Sequence, residues 1–148
     1  MATRNDFQLA LDVVKSVNIM NDLLDCLSYR LQGTDPNTGG VYKIKTAAGL
    51  RDPVVEDLVD TLSETKRFID IYASRLAKID NIALKDALTT FGIDDVIFLQ
   101  DIANMKLVIT QVVDLVKTVK TISEFEPIAM HIDNNIPKLR LLRREWAL

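Results

Sequence analysis

The sequence predicts an all-α protein. It reads as an antiparallel bundle of three long helices, a short helix and a C-terminal amphipathic helix, with a long, hairpin-like loop at 33–51. Three observations predict this. Apolar residues recur at alternating spacings of three and four along three separate stretches, which is the period of one face of a packed helix. Only 5 Gly and 4 Pro interrupt 148 residues, so long elements run unbroken. A chain of this length buries about 68–70% of its unfolded surface, so one core suffices without disulfides.

The first helix is expected to start after Thr3 or Asn5, either of which caps exposed N–H groups. Its seam is Ala10, Val13, Val17, Met20, Leu24, Leu27 and Leu31, with Ile19, Leu23 and Cys26 as a second stripe. Gly33 is its stop. The second opens at "RDPVVEDL", with Asp52 as cap and Pro53 at the first helical position. Its seam is Val55, Leu58, Leu62, Thr65, Ile69, Tyr72, Leu76 and Ile79, broken only by Thr65. Lys66 and Asp70 stand four apart and form a pair.

A short helix over 81–90 ends at Gly92. The third long helix is capped by Asp94, and its seam is Phe98, Ile102, Met105, Ile109, Val112, Val116 and Val119. Leu99, Leu107, Leu115 and Ile122 widen that seam, so this helix is expected to be the most deeply buried. Pro127 ends it or starts a new turn. Residues 1–136 form the bundle domain. Residues 137–148 form a basic amphipathic helix, with Asn134 or Asn135 as cap and Leu139, Leu142 and Trp146 on one face. A helix this short is marginal alone and has to dock.

Charge separates the same two parts. Lys138, Arg140, Arg143 and Arg144 against Glu145 give 137–148 a net +3, within an overall −3. A basic tail on an acidic body points to docking on an acidic surface, its own or a neighbour's. Phosphates of nucleic acid are the alternative target, not favoured by the net charge, and a membrane surface is less suited. The stretch 107–119 is too short and too polar to span a bilayer, and no signal peptide opens the chain. A single cysteine suits an intracellular setting.

Candidate chemistry is sparse. In "GTDPNTGGVYKIK", five residues separate Gly33 from Gly39, and Val41 follows Gly40, so this is no phosphate-binding loop. Asp35, Asn37 and Gly40 fit places one, three and six of a calcium loop. Gly39 and Thr46 stand where a ligand and the bidentate Glu belong. His131 is alone, and Cys26 has no motif around it. The acids Asp57 and Asp60, Asp94 and Asp95, and Glu124 and Glu126 sit at helix starts or on polar faces. No metal, cofactor or catalytic residue is expected.

"DPNTGG" is strong turn chemistry, and "VYKIK" alternates, so it is expected to pair back with "YRLQGT" as a hairpin. A 19-residue connection carrying Tyr42, Lys43, Ile44 and Lys45 reads as a contact finger. With Lys138, Arg140, Leu142, Arg143, Arg144 and Trp146 it makes up the expected partner-binding set. The expectation is a non-enzymatic structural or adaptor subunit that contacts copies of itself in an oligomer or a larger assembly. Helical subunits of phage particles have this build, an analogy of fold only. A ligand pocket around Tyr72, Phe98 and Met105 is a third reading.

Overall fold

In the computed structural model, the residues described are 4–135. The tail residues Lys138, Arg140, Leu142, Arg143, Arg144 and Trp146 lie outside them. The described residues form five α-helices and one two-stranded hairpin. These are α1 (Arg4–Leu31), β1 (Ile44–Thr46), β2 (Gly49–Arg51), α2 (Val55–Ala77), α3 (Asn81–Thr90), α4 (Asp95–Leu115) and α5 (Phe125–Asn135). The fold is the all-α bundle that the seams predict.

The seams mark the core closely. All seven seam residues of α1 are buried, as are Phe98, Ile102, Met105, Ile109, Val112 and Val116. Thr65 is buried as well, with its hydroxyl donating to the carbonyl of Thr61 at 2.8 Å. That bond one turn back is how the apolar seam of α2 accepts a hydroxyl. Lys66 and Asp70 pair at 2.7 Å.

Glycine stops α1 and α3 in the same way. Gly33 and Gly92 take φ of +82° and +69°, and Thr34 and Ile93 donate back to the carbonyls of Tyr29 and Leu88. Asp94 caps α4 through Val96 and Ile97 N–H. The start of α2 differs from expectation. Its N-cap is Val54, not Asp52, and Pro53 precedes the helix. Asp52 is engaged by the Lys43 ammonium, while Asp57, inside the first turn, accepts the Val54 N–H at 2.9 Å. At the start of α1, Asn5 is already helical, and Thr3 lies outside the described residues.

Two larger differences concern α4. It stops at Leu115, and the chain passes through 3₁₀ turns at Val116–Thr118 and Ile122–Glu124 into a separate helix, α5. The run from Val116 to Ile122 is rich in β-branched residues, which weaken helix propagation. Pro127 falls in the first turn of α5, where its missing N–H is harmless. Nor is α4 the most buried helix. α1 packs against α2, α3 and α5, whereas α4 packs chiefly on α2 and α5 and leaves Val96, Ile97, Leu99, Leu107 and Leu115 exposed.

Polar contacts fix α5 on both sides. The Ser28 hydroxyl donates to Asp133 at 2.6 Å, and the Gln32 amide donates to the same carboxylate at 3.3 Å. On the other side, the Asn104 amide donates to the Asn135 carbonyl at 2.9 Å, and His131 meets Gln111 at 3.4 Å. These two contacts order α5 and α4 in opposite senses.

Candidate interaction surface

The connection from 33 to 51 is built in two closed pieces. The first runs from the α1 stop to Val41. Thr34 and Val41 bridge, Tyr42 N–H donates to Gly33 at 2.8 Å, and Asp35 N–H donates to Gly40 at 2.8 Å. The Asp35 carboxylate accepts the Asn37 N–H at 2.8 Å, so the first place of the would-be calcium loop serves a local turn. Among the described residues, no group of three or more His, Cys, Asp or Glu is gathered for a metal.

The second piece is the hairpin β1–β2, in register Ile44 with Arg51, Lys45 with Leu50, and Thr46 with Gly49. "VYKIK" therefore pairs back with "YRLQGT" only at the single Thr34–Val41 bridge and the Tyr42–Gly33 bond beside it. That earlier segment is helical through Leu31, so the back half of "VYKIK" pairs forward with "GLR" instead.

Burial alternates along 41–46, which separates the expected contact residues. Tyr42 and Ile44 are half-buried. Tyr42 packs against the core with the Arg30 guanidinium 5.6 Å from its ring centroid. Lys43 and Lys45 face outward. Lys43 pairs with Asp52, and Lys45 shares the outer face of the hairpin with Leu50. Val41 and Leu50 are each 71% exposed, and Val54 is 53% exposed. The sequence reading missed these three. The period-two alternation would have put Val41 outside once Tyr42 was set inside.

The far end of the loop is pinned by charge. Arg51 grips Asp57 with two parallel bonds of 2.7 and 2.9 Å. The Arg51 guanidinium, with the Val54 N–H, holds the Asp57 carboxyl down at about 2. A carboxyl lowered in this way stabilises the folded chain above its ordinary value of 3.8, and the contribution fades as pH falls from there toward about 2. Asp57→Asn should therefore flatten the fall in melting temperature across that window. A melting series against pH, comparing the variant with the parent, would reject this if the two slopes coincide.

Two of the other acids serve local backbone or neighbouring side chains. Glu124 accepts from Lys120 N–H and the Thr121 hydroxyl, and Asp94 is a cap. Cys26 is half-buried at the margin of α1, and His131 is half-buried between α4 and α5. Phe98 and Met105 are sealed in the core, while Tyr72 lines a shallow groove between α1 and α2.

The second exposed apolar surface is the outer side of α4. Val96, Ala103 and Leu107 fall on one face, flanked by Ile97 and Asn104. Asp95–Thr118 is long and apolar enough to cross a membrane, with a mean hydropathy of 1.4. The expectation drawn from 107–119 alone is corrected to that extent. Core helices pass the same test, and the seam of α4 is spent on α2 and α5.

Compared with family models, with curated proteins and with solved structures, the chain matches none.

Proposed function

We propose that this chain is a non-enzymatic structural or adaptor subunit that works through protein–protein contacts, with copies of itself as first partner. The observation that carries this reading is the loop at 33–51. It is fixed to the bundle by the Gly33 stop, the Arg30–Tyr42 contact and the Arg51–Asp57 pair, yet it turns Val41 and Leu50 to solvent. Ordering such a loop costs conformational entropy, and its outward apolar residues return nothing to the chain's own core. A partner that covers them recovers that burial. Lys43 and Lys45 beside them supply polar contacts at the edge of such an interface.

Absolute mass by light scattering across a concentration series tests this. The parent should form a discrete oligomer, and Val41→Ser with Leu50→Ser should shift it to monomer with its helix content unchanged. A parent that stays monomeric throughout would sink self-assembly.

A further inference from the structure

α2 packs on α1 and α4 and buries Leu58, Leu62, Ile69 and Leu76. Its opposite side is exposed. Steps of three and four residues bring Glu56, Asp60 and Ser63, then Arg67, Ile71, Ser74 and Lys78, onto that side, and all are exposed. Charge there is sorted by sign. Glu56, Asp60 and Glu64 hold the first half, and Arg67, Arg75 and Lys78 hold the second.

The sorting works against α2 as a lone helix. Glu56, Asp60 and Glu64 follow one another at steps of four, where like charges destabilise a helix. The helix dipole favours acids in the first turn and bases in the last, but its effect fades within a turn, and Asp60 and Glu64 lie beyond it. Lys66 is engaged by Asp70, and Arg67 lies 4.0 Å from Glu64. None of Glu56, Asp60, Arg75 and Lys78 has an ion pair among the described residues, and Arg75 instead lies 5.3 Å from the ring centroid of Tyr72. An open groove of about 570 Å³ runs along the second half of the helix, lined by Ser63, Ile71 and Ser74 among others. Ile71 is 40% exposed.

We propose that two copies of this chain pair through this side of α2, with the two helices antiparallel across a two-fold axis near Arg67. In that register Glu56 meets Lys78 of the second copy, Asp60 meets Arg75, and Ile71 faces the small Ser63. Each contact occurs twice, because a two-fold interface is self-complementary. At the axis each Arg67 brings its own Glu64, so two compensated pairs meet there. Within one chain Glu56 and Lys78 are about 33 Å apart along the helix, so neither end neutralises the other. A second copy is the occupant that fits both ends. An acidic peptide or a nucleic acid matches the basic half and is repelled by the acidic one. The pairing deepens the reading above and rests on it for the expectation that copies associate, but its surface is α2 and not the loop at 33–51.

Charge reversal with complementation tests this, read as mass by light scattering. The parent should associate, and added salt should weaken the association. Glu56→Lys with Asp60→Lys, and separately Arg75→Glu with Lys78→Glu, should each weaken it by about tenfold or more. Mixing the two variants should restore it, and so should all four substitutions in one chain. That last chain keeps the parent's net charge, which removes bulk attraction as an explanation. Association that survives both reversals would overturn the α2 pairing and leave the loop as the contact. Association lost on reversal, restored on mixing and kept by Val41→Ser with Leu50→Ser would support α2 and remove the loop. Loss without restoration overturns the pairing. So does a monomeric parent, and binding of an oligonucleotide by that monomer at low salt would make the basic half a phosphate site. If a reversed chain fails to fold by circular dichroism, Ser63→Cys with Ile71→Cys in a Cys26→Ser background decides. The two positions are about 12 Å apart on one helix, too far for a disulfide within the chain. A disulfide-linked dimer supports the pairing, and its absence overturns it.

Discussion

Replacing Phe125 with alanine should destabilise the protein by about 3–5 kcal/mol, the range for removing a buried aromatic ring. Phe125 opens α5 and is 0% exposed. Its ring is the largest buried side chain on that helix, with Ile128, Ala129 and Ile132 completing the apolar face. Losing it also loosens the helix that presents Asp133 to Ser28 and Gln32. Urea unfolding followed by circular dichroism measures the effect as a lowered midpoint with an unchanged slope. A loss below about 1 kcal/mol would mean that α5 is not seated on the core as described.

The second large effect is a contrast within one helix. Ile109 and Leu107 stand two residues apart on α4, at 0% and 55% exposure. Ile109→Ala should cost about 2–5 kcal/mol, since it leaves a cavity among close-packed neighbours. Leu107→Ala should stay within about 0.5 kcal/mol. Equal costs would refute the rotation of α4 about its own axis. A large cost at Leu107 alone would mean that something covers that side in solution.

Most of the bundle was legible because burial and helix period agree. A residue such as Leu62 or Met105 is apolar, falls on the three–four repeat and is sealed in the core. The stops at Gly33 and Gly92 were legible for a similar reason: a left-handed backbone favours glycine. What escaped was decided by tertiary contacts. Apolar spacing continues through Val116 and Val119, and it masks the weaker local signals, the β-branched run and Pro127, that α4 yields to α5. Asp52 has the chemistry of a cap, but Lys43 reaches it from across the hairpin, and no spacing rule foresees that. At the candidate surface the sequence marked the right segment and mixed its two sides. Tyr42 and Ile44 are the most partner-like residues by composition, yet both are half-buried and Tyr42 anchors the loop on the core, and the exposed valine and leucine drew no notice.

The bond between Ser28 and Asp133 has a consequence for how the chain is made. It joins α1 to α5, the first and last helices among the described residues, across 105 positions of sequence. During synthesis α1 emerges first, carrying a stripe from Ala10 to Leu31 that α2 and α3 cover only in part. The rest stays wet until α5 leaves the ribosome, which adds elongation time to the cost of closing so long a loop. Folding of the described bundle thus waits for α5, which appears after the other four helices. A nascent chain stalled before residue 125 should be the form most prone to stick to its neighbours or to a chaperone.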